Sequence, residues 1–267
     1  MHRLSVLKTP EHEFVTVGEF VEIARNYWTD LGWVFRGQDN IDWPLVPKAG
    51  REEFFKEPNK VWQKLGQRAE DLGRFGKWRE QAVAFCDSLP ENDFECLAYA
   101  QHYGLITRLL DWSTNPLVAL FFAVEEQGES DGVVFCHFPS WVINREKLSI
   151  HEQMDRVGLL IPRPFDRRIV AQGAVFTYHY DVREPLRCEN VDERFKRAAP
   201  DAVNLVRIRV AAKGKTFLQR HLSDLGISRK SLFPDLEGLS AFINWGTRRS
   251  IRSGKKLAAR QGKAFPA

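Results

Sequence analysis

The sequence predicts an α+β fold, a mixed and mostly antiparallel sheet with helices packed on it. Three observations carry that expectation. Segments with helical periodicity crowd the first half of the chain, and most strand-like runs come later, without regular βαβ alternation. The composition is 43% hydrophobic, with 8 Trp and 19 Phe in 267 residues, which favours a packed globule over a disordered chain. We therefore expect one domain over residues 1–245, its core at about 15–245, followed by a basic, flexible tail over 246–267.

The elements are read in order. Val17 to Trp28 repeats its apolar residues at helical spacing, and Thr16 with Glu19 three residues on has the form of a capping box. Trp33 to Gln38 is a short β-like run that Gly37 should stop. Asn59 to Cys86 and Glu95 to Tyr103 read as helices. Thr114-Asn115-Pro116 offers an N-cap followed by a first-turn proline. The helix it opens, through Val124, is apolar all round and so should be buried. Gly132 to Phe138, Ile169 to Tyr180 and Val203 to Val210 read as strands, the last alternating apolar and charged residues. Lys215 to Leu225 is a helix closed by Gly226, and Ser231 to Trp245 is the last one.

Charge and cysteines narrow the function classes. The segment from Gly246 onward holds Arg248, Arg249, Arg252, Lys255, Lys256, Arg260 and Lys263 and no acid. The whole chain nets +4, so the preceding body nets −3. Cys86, Cys96, Cys136 and Cys188 form no CxxC pair, and no His or acid stands at zinc-site spacing, so no metal site is expected. The first residues lack the apolar stretch of an export signal, and no run approaches the roughly 20 apolar residues of a membrane span. A reducing cytoplasm is the expected location, with no membrane partner.

Polar chemistry gathers in three clusters. The first is Phe35-Arg36-Gly37-Gln38. A guanidinium fork beside a glycine can meet a phosphate or carboxylate at close range, or it can pair with a core carboxylate and fix a turn. The second runs from Gln101 to Pro116 as one connection between two apolar helices. It holds His102, Arg108, Asp111, Ser113 and Thr114 beside a helix start whose free N–H groups suit an anion. His102 titrates near neutrality. The alternative for this stretch is a structural network in which Asp111 binds Arg108 and Ser113 or Thr114 caps the helix. In the third cluster Gln172 is read mid-strand beside Gly173, either reaching a ligand or satisfying buried backbone.

In this order, Phe35-Arg36-Gly37, then His102-Tyr103-Gly104 through Thr107-Arg108-Leu109-Leu110-Asp111-Trp112 to Asn115-Pro116, then Gln172-Gly173 with Phe176, resemble the bacterial FRG domain family. The stretch Gly226-Ile227 to Leu232-Phe233-Pro234-Asp235-Leu236 is similar to that family's C-terminal piece. A second resemblance is to ADP-ribosyltransferases. It implies a split sheet, with Arg36 on the phosphates or nicotinamide ribose of NAD and Ser113 or Thr114 supporting the nicotinamide pocket. Gln172 then stands where those enzymes carry a catalytic Glu, which argues against transfer, since an amide lacks the carboxylate's charge. Glu125, Glu126 and Asp166 are candidate substitutes for that Glu, though no motif places them in the site.

Three functional readings follow. The first is an NAD- or nucleotide-handling enzyme. There Arg36, Gly37 and Arg108 bind phosphate, with Ser113 and Thr114 behind them, and His102, Asp111 and Gln172 act on the substrate. NAD is then a substrate, and no resident cofactor is named. The second is a module that binds a phosphorylated ligand or partner without turnover. The third is nucleic-acid contact through the basic segment after Trp245.

Overall fold

A computed structural model describes residues 10–28, 32–64, 69–126, 128–152, 154, 156–189, 191 and 203–260. Seven strands form one mixed sheet in the order β1-β7-β4-β2-β3-β6-β5. They are β1 (Glu11–Phe14), β2 (Val34–Gln38), β3 (Leu109–Ser113), β4 (Gly132–His137), β5 (Gly158–Leu160), β6 (Ala174–Tyr178) and β7 (Leu205–Val210). Only β1 and β7 run parallel; the other neighbouring pairs are antiparallel. The α+β expectation holds.

The helices are α1 (Val17–Ala24), α2 (Lys60–Lys64), α3 (Asp71–Ala82), α4 (Asp93–His102), α5 (Pro116–Val124), α6 (Arg167–Ala171), α7 (Lys215–Asp224), α8 (Arg229–Leu232) and α9 (Leu236–Arg260). Local signals set several of their ends. Thr16 and Glu19 form the capping box of α1, Asn115 caps α5 with Pro116 in its first turn, and Gly226 follows α7 at φ +85°.

One weak seam in the sheet positions everything that follows. β2 and β4 pair over five residues, and so do β3 and β6, but β2 and β3 pair only at Phe35 and Ser113. The core divides along that seam. One cluster packs α1, α5 and α7 against the β1-β7-β4-β2 side, with Phe20, Leu120, Val134 and Leu222 fully enclosed. The other packs α3 and α4 against β6 and β5 through Leu72, Phe94, Leu97 and Tyr178.

Four expectations need correction. The connection between α4 and α5 is not all loop: Leu109–Ser113 is β3, because Leu109 and Leu110 are buried and its backbone finds partners on β6. Ile169–Tyr180 is not one strand. Asp166 Oδ1 accepts from the Arg168 N–H and starts α6, Gly173 at φ +54° turns the chain, and β6 begins after it. The 59–86 helix is two, α2 and α3. The last helix breaks at Phe233-Pro234-Asp235, where proline has no N–H to continue α8. It then runs on past Trp245 to Arg260 as α9. Lys263 lies outside the described residues. Cys96, Cys136 and Cys188 are buried and Cys86 is half-buried.

Candidate functional site

At the seam lies a cavity of about 590 Å³ lined by Arg36, Gly37, His102, Asp111, Ser113 and Gln172. Three distant stretches thus share one hollow. Arg36 projects from β2 across the gap, and its Nη1 donates to the Asp111 carbonyl oxygen at 2.8 Å, with Asp111 Oδ2 at 3.8 Å. The guanidinium replaces a ladder hydrogen bond that the parting strands cannot make. Its Nε is buried without a hydrogen-bond partner. Burial lowers the Arg36 pKa from its ordinary value; Asp111 opposes that shift and the nearby Arg51 cation adds to it.

Gly37 owes its identity to packing. A Cβ there would lie 1.8 Å from the Ala119 carbonyl oxygen, so α5 can rest on β2 only if the position is glycine. That contact brings Ala119 and Phe122 to the cavity wall.

On the opposite wall, Asp111 is held by Gln101, whose Nε2 donates to Oδ1 at 2.8 Å, and Gln101 Oε1 in turn accepts from the Thr107 hydroxyl. The carboxylate stays 63% exposed, so it faces whatever enters. His102 closes α4, with Nε2 3.5 Å from Asp166 Oδ1 and its ring edge-on to Phe165. Burial lowers its pKa, with Asp166 opposing, so the imidazole is neutral at pH 7.

Gln172 is at the C-cap of α6, not mid-strand. Its Nε2 donates to Leu232 O at 3.0 Å, and its backbone carbonyl accepts from the Ser113 hydroxyl at 2.6 Å. Ser113 Oγ also accepts from the Asn115 N–H at 2.9 Å. Ser113 therefore ties α6 to the start of α5.

Residues 32–132 match the FRG domain family model. The chain carries an FRG domain. No curated protein and no solved structure matches the chain. The matched span runs from just before β2 to the first residue of β4, so the FRG domain holds both sides of the seam. Gln172, Arg168 and Phe233 close the cavity from outside the matched span.

Two of the expected ligand residues do not line the cavity. Arg108 is 1% exposed, its Nε and Nη2 bound to the Asp71 carboxylate at 2.8 and 2.7 Å and its Nη1 3.3 Å from the Tyr178 hydroxyl. Burial works against its charge, yet Asp71 and Tyr178 hold its pKa above the ordinary arginine range. Arg108 is a core cation of the FRG domain, and it pairs with Asp71 rather than Asp111. Thr114 is absent from the lining as well. Its N–H and hydroxyl donate to the Gly173 carbonyl at 2.9 and 3.4 Å, where they secure the α6 turn.

The cavity also holds residues that the motifs did not single out. Lys48 and Arg51 stand at and beside the 3-10 turn Lys48–Gly50. With Arg36, Gln101 and Asp111 they also line an adjoining recess of about 160 Å³, which marks them as one end of the hollow. Toward the other end, the Arg168 guanidinium lies 4.7 Å from the Phe233 ring, which is 6.2 Å from Phe122. Glu125 and Glu126 line the cavity too, and Glu125 Oε1 accepts from Arg229 Nε at 2.6 Å. Among the described residues, no group of three His, Cys, Asp or Glu could hold a metal ion, and no helix is long and apolar enough to cross a membrane.

Proposed function

We propose that the FRG cavity binds a nucleotide of the NAD class, with the diphosphate at Arg36, Lys48 and Arg51 and the rings toward Phe122 and Phe233. The observation that carries this reading is the cationic end. Arg36 has a buried Nε with no partner, and the Arg51 charge beside it disfavours its own. An anion between them satisfies the donor and relieves the repulsion. Charge-assisted bonds from a guanidinium fork are the strong kind. The volume, about 590 Å³, falls in the range of small-molecule sites, about 300–1,000 Å³. Neutral His102 and the exposed Asp111 carboxylate are the groups able to orient a ribose hydroxyl or accept its proton.

A specific observation favours binding without turnover. Gln172 spends its amide on Leu232 O, and Glu125 is engaged by Arg229. Of the carboxylates in the cavity, Asp39, Asp111 and Glu126 are then the ones left to act on a glycosidic bond. Calorimetry with NAD, ADP-ribose and ADP tests the binding, and chromatography of released nicotinamide tests the turnover. Binding of all three, with a loss of about 10–100-fold in Arg36→Ala, is the expected result, from the roughly 1.5–3 kcal/mol of a charged hydrogen bond. No binding by any of them ends the nucleotide reading, and nicotinamide release ends the reading without turnover.

A further inference from the structure

The most basic stretch of the chain lies away from the cavity, on α9. The helix is tied to α7 by Trp245, whose Nε1 donates to Gln219 Oε1 at 3.0 Å. Arg249 lies over the Trp245 ring at 5.5 Å. Beyond Trp245 the helix continues to Arg260, and Thr247, Arg248, Ser250 and Ile251 are exposed.

Helical geometry sorts these residues. At about 100° per residue, positions 248, 249, 252, 255, 256 and 260 fall within an arc of about 140°. All six are Arg or Lys, and no acid occurs from Gly246 to Arg260. The remaining arc carries Gly246, Thr247, Ser250, Ser253, Gly254 and Ala258 with only Ile251 and Leu257 of any bulk. Over residues 248–260 the backbone is one helix, about 18 Å at 1.5 Å per residue, and the basic residues take positions on one side of it.

We propose that this face of α9 binds the phosphate backbone of a nucleic-acid duplex. The cations are spaced one helical turn apart along a rod that a groove about 12 Å wide can admit. The preceding body, net −3, contributes no attraction of its own, so the sign of the charge singles out this helix as the contact. An anionic membrane surface is the competing partner for a basic helix. It requires an apolar face to sink into the acyl boundary. Glycine, serine, threonine and alanine occupy most of that face here.

The test uses the full chain and fluorescence anisotropy with a 20-base-pair duplex of DNA or RNA at 50–300 mM KCl. The logarithm of the association constant falls with the logarithm of salt concentration at roughly −0.9 per neutralised phosphate on DNA, so four to six contacts predict a slope of about −4 to −5. Reversing the stripe with R252E, K255E and K256E makes the slope shallower by about 3. T247E and S250E add two negative charges to the same helix off the stripe and leave most of the binding. Circular dichroism checks that both variants keep the helix. The proposal is overturned by absence of duplex binding at 50 mM KCl, by equal losses in the two variants, or by binding to phosphatidylserine vesicles in place of duplexes.

Discussion

Two arginines, Arg36 on β2 and Arg108 just before β3, show how differently one residue type behaves. Arg108 is sealed against Asp71, each side chain 1% exposed, and removing it leaves a carboxylate buried without its cation. Arg108→Gln is expected to destabilise the fold by about 3–5 kcal/mol, seen as a lowered urea midpoint. Arg36 is 15% exposed and spans the seam through one hydrogen bond to a backbone carbonyl. Glutamine at position 36 keeps a donor for that carbonyl, so Arg36→Gln should cost about 1 kcal/mol of stability while weakening ligand binding about 10–100-fold. An equal drop in stability for the two variants would make Arg36 a structural arginine. Nothing in the sequence separates them, because the partner that decides Arg108's fate, Asp71, lies in a different helix and meets it only once α3 packs on the sheet.

Elements carry the signals that are local. The capping box of α1, the Asn115-Pro116 start of α5 and the glycine after α7 are each written within a few residues, and the structure has them all. α6 was written just as locally, with Asp166 at its N-cap and Gly173 past its end, but β-branched Ile169 and Val170 beside Val175 and Thr177 made the stretch read as one strand. β3 was hidden for another reason: a strand of five residues depends on its neighbours, and its polar flanks looked like a loop. The outlines of the hollow were legible because Arg36, His102, Asp111, Ser113 and Gln172 sit in recognisable motifs; Lys48 was not, since a lone lysine by a turn resembles any surface cation. At this scale the joint between β2 and α5 is the most sensitive. Gly37→Ala places a methyl 1.8 Å from Ala119 O and must push the helix off the strand. A loss of about 3 kcal/mol or more in chemical unfolding is expected. Asn115→Ala, which removes only the cap of the same helix, should cost about 1 kcal/mol.

Acid should lower the stability of the whole molecule in two pH windows, the first because two imidazoles are enclosed near the seam. His137 on β4 is held by Asn204 O at 2.9 Å and stands 5.3 Å from Trp112, while His179, just past β6, meets Thr177 Oγ1 at 3.0 Å. Burial lowers their pKa values from 6.5 to about 4 and about 3, and for His179 the repulsion from His137, Arg36 and Arg108 adds to the shift. Both are neutral in the folded state at pH 7. As pH falls below 6.5, the unfolded chain takes up protons that the folded chain refuses, so stability declines from there until the folded values are reached. At pH 5 the loss is about 2 kcal/mol for each imidazole. Asp131, bound by the Ala212 N–H and Arg209, and Asp235, bound by the Gly238 N–H and Arg168, have pKa values lowered from 3.8, so their contribution fades only below that range. The two windows are therefore separable. Urea midpoints measured between pH 7.5 and 3 should fall first between about 6.5 and 4, and His137→Gln should flatten that first decline by roughly half while leaving the second in place. A midpoint that stays constant from pH 7 to 5 would mean that the imidazoles are charged, or reachable by water, in the folded protein.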